Sequence, residues 1–134
     1  MKRNNLILSF FFIVALTLVA QSCEHETYAQ GKRLYEAHCE NCHMEDGNGL
    51  AKLIPPLQNS DYLKNNQDKI ACILKNGQKG KVIVNGIEYN QEMPGKNYTA
   101  VQITNITNYI NNAWGNQYGV TNLEQSSNAL KKCN

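Results

Sequence analysis

This sequence has almost no charge of one sign to spare. Its formal net charge is +2, and Lys2 and Arg3 account for both units. From Cys23 onward basic and acidic residues balance at 11 each. That balance gives nucleic-acid binding no electrostatic support. No apolar run is long enough to cross a bilayer comfortably. The one such run, from Leu6 to Ala20, is broken by Ser9 and Thr17. No internal repeat and no second domain are visible in 134 residues. Aliphatic residues are thin after Cys23 while Asn is abundant, so an ordinary apolar core is hard to fill. A large apolar cofactor at the centre would offset that shortage.

The N-terminus has the charged-then-apolar order of an export signal. Lys2 and Arg3 precede the apolar run, and small residues, Ala20 and Ser22, precede Cys23. We read 1–22 as a signal peptide and 23–26 as a tether; the alternative is an uncleaved N-terminal anchor. Either places the domain outside the cytosol, where thiol oxidation and covalent cofactor attachment are permitted.

Helical signals dominate the remainder of the chain. Thr27-Tyr28-Ala29-Gln30 reads as a capping box. Tyr28, Gly31, Leu34, Tyr35 and His38 recur on one helical face. Asp46-Gly47-Asn48-Gly49 breaks that helix, and Ile54-Pro55-Pro56-Leu57 must be extended. Ser60 or Asp61 can cap a short turn. Asn66 can cap a helix that carries Ile70, Ile73 and Leu74 inward and stops at Gly77. Val82 to Tyr89 reads as a small hairpin around Asn85-Gly86. Thr99-Ala100-Val101-Gln102 opens the last predicted helix, whose stripe is Ile103, Ile106, Ile110, Ala113 and Trp114, with Gly115 as its end. Residues 117–134 read as a polar tail. Acidic residues gather over 24–46 and lysines over 62–81, so the lysines are a candidate docking face.

Cys39 and Cys42 lie one helical turn apart, and His43 follows at once. Cys-x-x-Cys-His in an exported chain is the signature of covalent haem attachment. Its rivals are a redox dithiol, which wants a preceding strand, and half of a zinc site, which wants a second ligand pair. A helix precedes the motif, and no second pair is found. His43 can turn its imidazole toward the iron. For the far face, His38 and Met44 are on the proximal side and His25 is near the start of the mature chain. Met93 remains, about fifty residues downstream in Met93-Pro94-Gly95. A neutral thioether opposite an imidazole raises the reduction potential relative to two histidines and leaves no open iron position.

Taken together, these residues resemble a known family, the class I monohaem cytochromes c, over Tyr28 to Gly115. The resemblance implies a mostly α cytochrome c fold, several helices around one haem, with a small β-hairpin on the distal side. It makes 27–116 the cytochrome c domain. It implies that Gly31 is small so that the first helix can cross the helix bearing Tyr109, with Tyr35 beside it. It also implies that the Pro55 carbonyl accepts the His43 Nδ1 proton. Met44 stands where the family usually has glycine, and the tail with Cys133 has no counterpart in the family's basic pattern.

The implied function is single-electron transfer between exported or membrane-bound redox partners, with catalysis on other chains. The alternative is an electron-accepting subunit of a larger oxidoreductase. A haem enzyme or sensor would need an open iron site. Three cysteines remain. If Cys23 is the lipidated first residue of a periplasmic or outer-surface lipoprotein, Cys72 and Cys133 are left as a disulfide pair. Ala20 and Gln21 depart from the usual lipoprotein pattern, and a buried thiol at Cys72 with an unpaired Cys133 is the other reading. Mass spectrometry of the mature protein checks these covalent expectations together. One haem, an acylated Cys23 and a Cys72–Cys133 bridge are expected; acid-extractable haem, an unmodified N-terminus or a thiol at Cys72 would each remove its part.

Overall fold

The computed structural model describes residues 27–133. Expectations for the export signal, Cys23 and His25 lie outside those residues. In chain order the elements are α1 (Ala29–His38), α2 (Glu40–His43), α3 (Asp61–Asn65), α4 (Ile70–Asn76), β1 (Gly77–Gln78), β2 (Val82–Val84), β3 (Ile87–Tyr89), β4 (Met93–Pro94), α5 (Ala100–Asn112) and α6 (Leu123–Leu130). The expected mostly helical cytochrome c fold is therefore present, with two small antiparallel strand pairs.

The first and fifth helices form the frame. A Cβ at Gly31 would fall on the Asn105 carbonyl oxygen and come 2.7 Å from the Tyr109 Cβ, so α1 and α5 cross with backbone against backbone. This is the role that the family resemblance implies for Gly31. Behind the crossing lies a core of Tyr35, Leu63, Ile70, Ala71, Leu74, Ile103, Ile106 and Ile110.

Helix starts match the sequence unevenly. Thr99 and Gln102 form the expected capping box on α5. Ser60 accepts a hydrogen bond from the Leu63 amide at 3.0 Å and caps α3. The box expected at Thr27–Gln30 does not form: Tyr28 takes the N-cap position without a side-chain bond, and Gln30 accepts from Asn105 instead. The helix expected from Asn66 starts at Ile70, because Asn66 closes α3 and its amide donates to the Tyr62 carbonyl.

Helix α5 stops at Asn112, short of the predicted Trp114–Gly115 end, because Asn116 satisfies one of its last carbonyls. The Asn116 amide donates to the Ile110 carbonyl at 2.8 Å. Trp114, at φ 53°, then folds back onto Tyr35 and Tyr109.

The predicted hairpin forms, with Asn85 and Gly86 both at positive φ. Its support is α3. The Asn85 amide donates to Asp61 Oδ1 at 2.7 Å, and the Asp61 amide donates to Asn85 Oδ1 at 3.0 Å.

Residues 117–134, a polar tail by sequence, carry a helix. Asn122 and Gln125 form a capping box for α6, which packs on α4 and α5. Asn108 ties the loop down by donating to the Thr121 carbonyl and accepting from its amide. Ser126 accepts from the Thr104 hydroxyl at 2.8 Å. Cys133 is bonded to Cys72 on α4, with Cα atoms 5.3 Å apart. Much of the Asn-rich composition thus serves helix ends and loop ties.

Gly31→Ala should cost about 1–3 kcal/mol by overpacking the α1–α5 crossing. Chemical unfolding of the intact protein measures it, and an unchanged midpoint would show that the crossing is not close-packed.

Candidate functional site

The motif sits where α1 yields to α2. Cys39 leaves the helical conformation slightly (φ −121°, ψ −37°), and its carbonyl accepts from the Cys42 and His43 amides at 3.1 and 2.9 Å. This one-turn helix fixes Cys39, Cys42 and His43 relative to one another. His43 is buried, and its Nδ1 lies 3.1 Å from the Pro55 carbonyl oxygen. Pro55 holds that place because Pro56 keeps it extended. A carbonyl partner makes Nδ1 the protonated nitrogen and leaves Nε2 with its lone pair. Burial lowers the His43 pKa, opposed by the Pro55 bond, so the neutral ring is favoured. Burial pushes the Cys39 thiol up to about 11, against the pull of Lys96.

The residue after His43 has an unusual backbone. Met44 adopts φ 64° and ψ 160°, a region occupied almost only by glycine. Methionine here, at a conformation that suits glycine, stores backbone strain. Three contacts hold the loop. The Tyr35 hydroxyl donates to the Met44 carbonyl at 2.5 Å, the Trp114 indole donates to the Glu45 carbonyl at 2.8 Å, and the Leu57 amide donates to the Gly47 carbonyl at 2.7 Å.

Cys39, Cys42, His43, Pro55 and Met93, each singled out in the sequence, line one cavity. Its empty space, about 1020 Å³, runs out into open solvent. Its remaining lining is almost wholly apolar, with Leu63, Leu74 and Ile106 at the back. Met93 reaches it from β4, which pairs with β1 in register Gly77↔Pro94 and Gln78↔Met93. That ladder has no local signal in the sequence, where Gly77 reads only as a helix stop.

Two of the excluded ligand candidates, Met44 and His38, make contacts of their own. Met44 lines a groove on the other side of α2, with Glu36, Glu45 and Trp114. His38 Nδ1 lies 2.8 Å from Lys96 Nζ. The lysine docking face is weaker than the sequence suggests. Lys79 pairs with Glu92 at 3.1 Å and Lys81 with Glu88 at 2.9 Å, which cancels charge in the β1–β4 region.

Comparison with known proteins shows the family. The family model described as cytochrome c matches residues 28–114. Cytochrome c-552 of Thermus thermophilus is 29% identical over 120 residues, covering 86% of this chain and 74% of that protein. The cytochrome c subunit of a quinone alcohol dehydrogenase from Gluconacetobacter polyoxogenes is 31% identical over 90 residues. Those residues are 65% of this chain but 19% of that subunit.

Met44→Gly relieves a backbone conformation costing about 1–3 kcal/mol and adds roughly 0.5–1 kcal/mol of unfolded-chain entropy. A net gain of about 1 kcal/mol is expected from those two terms in denaturant unfolding. A loss of similar size would mean that the Met44 side chain contributes more than its backbone costs.

Proposed function

We propose, from the premise that this chain belongs to the cytochrome c family, that it is a single-electron carrier with one haem c held at Cys39 and Cys42 and ligated by His43 and Met93. The family carries its haem covalently, and the residues here suit that group. Two thiols stand one turn apart at the rim of an apolar cavity, and an imidazole and a thioether enter it from different elements. That convergence is the observation that carries the proposal.

Bound haem supplies a reversible one-electron couple, and imidazole with thioether favours its ferrous state relative to two imidazoles. The chain's own residues do the rest. Cys39 and Cys42 offer the sulfurs for attachment. Pro55 fixes the tautomer and plane of His43, so that Nε2 is the ligating nitrogen. Leu63, Leu74 and Ile106 keep the back of the cavity apolar and dry. Met93 would hold the iron from the far side of the cavity, and oxygen or peroxide would then find no position on it. Function is then outer-sphere electron transfer, with catalysis on partner proteins.

Further parts of the reading concern place and partners. Residues 1–22 act as an export signal and 23–26 as a tether, with a lipid on Cys23 holding the domain, 27–116, at a periplasmic or outer membrane surface. Support comes from the charged-then-apolar start and from cysteine parity, since Cys72 and Cys133 are bonded to each other. Acyl chains contribute roughly 0.8 kcal/mol per buried methylene, so two or more would hold the chain firmly. A second reading, an electron-accepting subunit of an oxidoreductase complex, is favoured by the likeness to a subunit of a quinone alcohol dehydrogenase. Stable co-purification with a dehydrogenase selects the second; transient, salt-sensitive docking selects the first.

Met93→Ala should abolish the weak red absorption band of the oxidised protein and admit carbon monoxide to the reduced protein. Met44→Ala should do neither. The reverse pattern in visible spectra would exchange the two methionines and overturn the ligand assignment.

A further inference from the structure

Met93 stands on slight support. Its strand, β4, is two residues long and pairs only with β1, also two residues long. Pro94 has no amide hydrogen to give to the ladder, and a two-stranded pair of this size is marginal by itself. Something other than ladder hydrogen bonds must fix where the Met93 side chain enters the cavity.

Two glycines meet where this ladder joins the end of α4: Gly77 in β1 and Gly95 just after β4. Gly77 ends α4 at φ +83°, and a Cβ there would lie 2.6 Å from the Gly95 amide nitrogen and against the Met93 carbonyl oxygen. A Cβ on Gly95 would lie 2.5 Å from both the Gly77 nitrogen and the Lys75 carbonyl oxygen. The space of Gly77's missing side chain is taken by the backbone of β4 and Gly95, and that of Gly95's by the backbone at the end of α4 and the start of β1. Because all these neighbours are main-chain atoms, no rotamer change can make room.

The strand that yields must be β4. Helix α4 is anchored by buried Ile70, Ala71 and Leu74 and by the Cys72–Cys133 bond. Beside the ladder, β4 is tied through the Lys96 amide, which donates to the Leu74 carbonyl at 3.0 Å, and through the exposed Lys79–Glu92 pair.

We infer that Gly77 and Gly95 are positioning residues for the Met93 thioether, acting by close backbone contact and not by turn geometry alone. This inference rests on the reading of Met93 as an iron ligand. Gly80 provides an internal control. It has a similar positive φ, +77°, three residues from Gly77, yet nothing lies within 4 Å of its would-be Cβ. A substitution there imposes backbone strain without pushing on β4.

The test uses the haem-loaded protein in four variants: Gly77→Ala, Gly95→Ala, Gly80→Ala and Met93→Ala. The readouts are covalent haem content, the weak red band of the oxidised form and carbon monoxide binding to the reduced form. Gly77→Ala and Gly95→Ala should keep covalent haem, lose the band and bind carbon monoxide. Gly80→Ala should retain the band and exclude the gas, even if it is less stable. A wild-type band in both Gly77→Ala and Gly95→Ala overturns the inference, as does its loss in Gly80→Ala. If neither strand variant accumulates with haem, the glycines serve folding and not positioning, and the inference fails. A band that survives in Met93→Ala places the failure in the ligand assignment instead.

Discussion

The close crossing of α1 and α5 at Gly31 is the constraint on which the rest of the structure depends. It brings three aromatic rings together: Tyr35 with Tyr109 at 5.3 Å between centroids, and Trp114 at 5.1 and 5.5 Å from them. Two of these rings then act through their polar ends. The Tyr35 hydroxyl and the Trp114 indole hold the Met44 and Glu45 carbonyls, and so the strained loop after His43. Gln58 binds back to the Trp114 carbonyl. A contact between helix backbones is thereby passed, through side chains, to the orientation of one imidazole.

The far side of the cavity is built on a different principle. Met93 is carried there by a pair of two-residue strands. Its strand leans on the end of α4, and α4 is tied to the end of the described chain by Cys72–Cys133 and covered by α6. The C-terminal segment therefore braces the half of the molecule that presents the thioether, while the α1–α5 crossing braces the half that presents the imidazole. The two halves meet through the core, through α6 packed on both α4 and α5, and through the cavity lining, where a rigid apolar group would join them.

What is legible in the sequence follows local chemistry. Cys39, Cys42 and His43 declare themselves by spacing, Asn85-Gly86 by its turn conformation, and Thr99 and Gln102 by their reciprocal cap. Pro55 and Gly31 become readable through a family resemblance, since neither a carbonyl's partner nor a helix crossing is encoded locally. Other features are not legible because long-range contacts override local signals. Thr27 has cap chemistry, but Gln30 is drawn to Asn105. Trp114 fits the α5 stripe, but Asn116 ends the helix first. The β1–β4 ladder joins residues far apart in sequence, and Gly77 looks like an ordinary helix stop until its backbone is seen against that of Gly95. Helix α6 escapes notice for a simpler reason. Its Asn122–Gln125 box is present, but its polar residues hide the few contacts that dock it.

In the proposed carrier, an imidazole and a thioether from the two halves would hold the same iron. X-ray absorption at the iron edge of the purified, oxidised protein tests this most directly. A single sulfur among nitrogens bonded to the iron, unchanged by reduction, is the expected result. A first shell of nitrogen alone, or with a position left to water, would contradict it.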